Sequence, residues 1–112
     1  MQIISRPAVE ARAWLRGNPN PNAFAGNRFD STECALAFVD ALYAEGATLV
    51  LVDEPEVNSD GTPYADTLLV RFGAPSSCWR LQRFCEQEGP GDVPEGDFTI
   101  HVFESEIRLW WD

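Results

Sequence analysis

The chain has 112 residues, 45% of them apolar and 12% aromatic, enough to bury roughly two thirds of its unfolded surface around a single core. Its 18 acidic and 8 basic residues give a net charge of −10, and so strong an acidic balance speaks against direct nucleic-acid or anionic-membrane binding, which needs a basic footprint. No apolar run reaches the roughly 20 residues that span a bilayer, and "MQIISRPAVE" lacks the features of a signal peptide, so the expected location is the cytoplasm, with three reduced cysteines.

Ser5 and Pro7 signal a helix start, and Ala8, Ala11 and Leu15 give a modest apolar stripe ending at Gly17, which predicts a short helix over 7–16. "GNPNPNAFAGN" then clusters residues hostile to regular structure. Residues 1–26 therefore read as helix plus loop, and 27–112 as the α/β core of a single domain.

"NRF" at 27–29 suits a short edge strand. In the stretch that follows, Asp30 and Glu33 have capping-box spacing, Ala35, Phe38, Val39 and Leu42 recur at helical spacing, and Gly46 stands where a left-handed cap belongs. "ATLVLVDE" and "YADTLLVRFG" are β-rich runs of strand length. "PSSCWRLQRFCEQEG" predicts a second helix, capped by Ser76 or Ser77, with Cys78, Leu81, Phe84 and Cys85 inward and Arg80, Arg83 and Gln87 on another face.

In "DFTIHVFESEIRLWWD" the apolar phase moves from even positions (Phe98, Ile100, Val102) to odd ones (Ile107, Leu109, Trp111), which predicts a hairpin turning at Glu104-Ser105. The order of elements predicts an α+β fold: a ferredoxin-like βαββαβ antiparallel sheet with two packed helices, an extra N-terminal helix and a C-terminal strand pair.

"EVNSDG" at 56–61 opens like a calcium loop, but its twelfth position is Thr67 rather than Glu and its flanks are strands, so the stretch reads as a turn and no metal is expected. Asp53, Glu54, Glu56 and Asp60 crowd that loop; Glu86, Glu88, Asp92, Glu95 and Asp97 crowd another. At the end of the chain, Trp110 and Trp111 on a strand point to opposite faces, which leaves one of them free to anchor a partner.

These features together predict a small protein-interaction module. It would bind a basic or nucleic-acid-binding protein through Asp53, Glu54, Glu56, Asp60, Trp110 and Trp111, as an inhibitor, an immunity-type neutraliser or a regulatory subunit, without a cofactor. Self-association is compatible with this reading. One alternative is a small hydrolase or transferase using Cys78 in a first helical turn, His101, or Asp66 as base; Asp66 otherwise suits an ion pair with Arg71 or Arg108. Another is a nucleic-acid mimic. No catalytic pair has recognisable spacing, so the expectation is a binder rather than an enzyme.

Overall fold

A computed structural model describes residues 7–112, so the Ser5 helix signal lies outside the described residues. In chain order the elements are β1 (Val9–Glu10), α1 (Ala11–Leu15), α2 (Thr32–Ala44), β2 (Leu49–Val52), β3 (Glu56–Val57), β4 (Pro63–Tyr64), β5 (Thr67–Arg71), α3 (Pro75–Glu88), β6 (Phe98–Val102) and β7 (Glu106–Trp111). Five strands form an antiparallel sheet in the order β1-β2-β5-β7-β6, and β3 with β4 forms a separate ribbon.

This order corrects the ferredoxin-like expectation. That topology needs a strand before α2, but Asn27–Phe29 is a turn, with the Arg28 and Phe29 amides bonded to the Ala25 carbonyl. The aromatic side chain that made "NRF" resemble a strand is there to fill the core: Phe29 is 2% exposed. The first strand is instead β1, which pairs with the outer edge of β2 and takes the first residues of the expected opening helix, leaving α1 only five residues long. A split β-α-β unit remains: β5 and β6, both antiparallel to the β7 between them, are joined by α3.

The helix boundaries follow local chemistry. Ser31, not Asp30, caps α2, its hydroxyl accepting the Cys34 amide at 3.1 Å, and Gly46 at φ +114° ends the helix as expected. For α3, Pro75 at the first helical position starts the helix after Ala74 without a side-chain cap, so neither Ser76 nor Ser77 serves. Ala35, Phe38, Val39 and Leu42 are buried, as are Leu81 and Cys85, while Cys78 and Phe84 are half-buried. The β6–β7 hairpin is closed by the Phe103 amide on the Glu106 carbonyl at 2.8 Å, which sets Ile100 opposite Leu109 and Phe98 opposite Trp111 and so resolves the phase shift.

The core lies on one face of the sheet, where Val50, Val52, Leu68, Val70, Ile107, Leu109 and Trp111 meet α2 and α3. The segment expected to separate the first helix from the rest belongs to the same core. Phe24 is 1% exposed, stacks edge-on against Trp111 at 5.6 Å and bridges Ala65. Polar residues of this loop satisfy its backbone: the Thr32 hydroxyl donates to the Asn20 carbonyl and accepts the Ala23 amide, and the Asn20 side-chain amide donates to the Pro63 carbonyl. On the opposite face the cross-strand row Leu51, Leu69, Arg108, His101 lies outside the core cluster. Among the described residues no helix is long and apolar enough to cross a membrane.

Candidate functional site

Strand register decides where the acidic loops sit. Val52 at the end of β2 pairs with Leu68, and Thr67 at the start of β5 pairs with Trp110, which also pairs with Thr99 near the start of β6. The loop that leaves β2 and the segment that enters β6 therefore lie at the same end of the sheet, with β5 and β6 two strand spacings, about 10 Å, apart. Asp53, Glu54, Glu56, Asp60 and Asp66 arrive there from one side, and Asp92, Glu95, Asp97 and Asp112 from the other. Backbone bonds draw the two groups together at β7: the Trp111 amide donates to the Asp66 carbonyl at 3.1 Å, and the Asp112 amide to the Asp97 carbonyl at 2.8 Å. Arg28 also reaches this end, but its guanidinium donates to the Glu88 and Gly89 carbonyls at 2.8 and 3.0 Å and lies over the Phe29 ring at 4.5 Å. It is held to backbone carbonyls and an aromatic ring rather than to any of these carboxylates.

The "EVNSDG" stretch forms β3 and the turn that leads to β4. The Gly61 amide donates to the Asn58 carbonyl and the Asn58 amide to the Thr62 carbonyl. The Asp60 carboxylate accepts both the hydroxyl and the amide of Thr62, at 2.6 and 3.0 Å, and these two hydrogen bonds lower its pKa. Thr67 at the twelfth position is buried and donates its hydroxyl to Asp66. The stretch closes as a hydrogen-bonded turn, and among the described residues no group of three His, Cys, Asp or Glu side chains is arranged to hold a metal. Glu54 holds a left-handed backbone at φ +47°, a strained conformation for a residue with a Cβ, which turns the chain sharply out of β2.

The two terminal tryptophans part as the pleat requires. Trp111 is 1% exposed, within 5.2–5.9 Å of Phe24, Phe29, Phe38 and Phe98, and its indole donates to the Gly89 carbonyl at 2.9 Å. Its expected place in a binding surface is therefore corrected: it is the central core residue. Trp110 is half-buried on the face away from the helices, with the Arg108 guanidinium 5.9 Å from its ring.

The enzyme candidates do not converge. Cys78 lies on α3, over the helix-covered face, beside Phe72, Pro75, Glu104 and Ser105. His101 pairs with Arg108 on the opposite face and is exposed, its ring edge-on to Phe103. The sheet separates them. Asp66 forms no ion pair with either expected arginine: Arg71 pairs with Glu106 at 3.1 Å, and the Asp66 carboxylate accepts the Thr67 hydroxyl.

One feature at the surface escaped the sequence reading. Trp79 on α3 is 65% exposed, with the Arg83 guanidinium 6.0 Å from its ring, at the edge of an open groove of about 280 Å³ lined by Glu45, Arg80, Arg83, Phe84 and Gln87. The arginine face of α3 was legible from spacing; Trp79 precedes Arg80 on that face and carries the signal. Comparison with protein-family models, with curated proteins and with solved structures finds no match to the chain.

Proposed function

We propose that the chain is a small cytoplasmic protein-interaction module that binds a basic protein, as an inhibitor, neutraliser or regulatory subunit, through the acidic end of its sheet. The feature that supports this reading is the shared end: the acidic loop that leaves β2, the acidic segment that enters β6 and Asp112 belong to the same end of the sheet. Such a concentration raises the encounter rate with a basic surface and disfavours acidic partners. Trp110, half-buried at that same end on the face opposite the helices, is an aromatic group that could slow release, and Val57, 52% exposed on β3, extends the apolar contact.

The test is paired capture from the native host with the wild-type chain and with a variant carrying Glu54→Lys, Glu56→Lys and Asp60→Lys. All three side chains are exposed, and the two Thr62 hydrogen bonds that Asp60→Lys removes lie in the β3–β4 turn away from the core, so the core of the variant should fold normally. The reading expects a basic protein retained by the wild type, lost from the variant, and bound with an association rate that falls as salt rises. A partner retained equally by both would remove the acidic end from the account.

A further inference from the structure

We draw no further inference here: the strongest candidate, the open groove on the outer face of α3 beside exposed Trp79 and Arg83, carries nothing, because nothing in the structure shows what covers it.

Discussion

Replacing Trp111 and Trp110 in turn by Ala should give very different losses of stability, although the two are neighbours in sequence. Trp111 is 1% exposed, packs against four phenylalanine rings from three segments, and donates its indole N–H to Gly89. Deleting a buried aromatic of this kind costs about 3–5 kcal/mol, and the upper part of that range applies because rings held by the α1–α2 connection, α2 and β6 cannot all collapse into the space left. The Gly89 carbonyl keeps its bond from Arg28, so no acceptor is orphaned and the loss is mainly packing. For a domain of this size the melting temperature should fall by roughly 16–20 °C, taking about 4 °C per kcal/mol. Trp110 is half-buried outside the core, and its truncation should cost about 1 kcal/mol or less. Guanidinium unfolding followed by far-ultraviolet circular dichroism measures both. Equal losses, or a larger one for Trp110, would mean that β7 is paired one residue out of register, and the assignment of core and open faces would fall with it.

Three further outcomes follow from individual side chains. Burial pushes the Glu10 pKa up, but the Tyr43 hydroxyl at 2.7 Å, the Ala13 amide and the Arg12 charge outweigh it and hold the value below the ordinary 4.5. A lowered carboxylate pKa adds stability that is complete above 4.5 and is lost as pH falls through the folded value, so the wild type should exceed Glu10→Gln at neutral pH and the gap should close in acid, as read by melts across pH. Millimolar calcium should leave the melting temperature unchanged, because the loop has Thr67 where a closing Glu is needed and its Asp60 is tied into the turn by Thr62; saturable binding by calorimetry would contradict this. With a thiol reagent at neutral pH, exposed Cys34 should label first, half-buried Cys78 more slowly, and Cys85, its pKa pushed up to about 12 by burial and then by Glu86, only on unfolding. Fast labelling of Cys78 in the native protein would renew interest in it as a nucleophile.

The elements legible in the sequence were those in which local pattern and tertiary packing agree. The α2 stripe of Ala35, Phe38, Val39 and Leu42, the apolar runs of β2 and β5, and the phase shift at Glu104-Ser105 each carry their own periodicity, and each was found where the pattern predicts. The ferredoxin-like order failed because its first strand rested on "NRF", three residues with no period to read, whereas Val9–Glu10 is a strand only because β2 offers it an edge. Pairing partners are long-range information. The same limit applies to the site: the two acidic clusters were visible as composition, but their common end depends on β7 lying between β5 and β6. That one of the terminal tryptophans would enter the core followed from strand alternation; which one depended on the hairpin register.

The most direct measurement is a nuclear magnetic resonance titration of the chain with its captured partner, following backbone amides and the four indole N–H signals. Binding at the acidic end predicts shifts concentrated at Asp53–Asp60, Glu95–Asp97 and the Trp110 indole, with the buried Trp111 indole and the α3 groove little changed. Shifts confined to Trp79, Arg80 and Arg83 would contradict the account and move the binding surface to the outer face of α3.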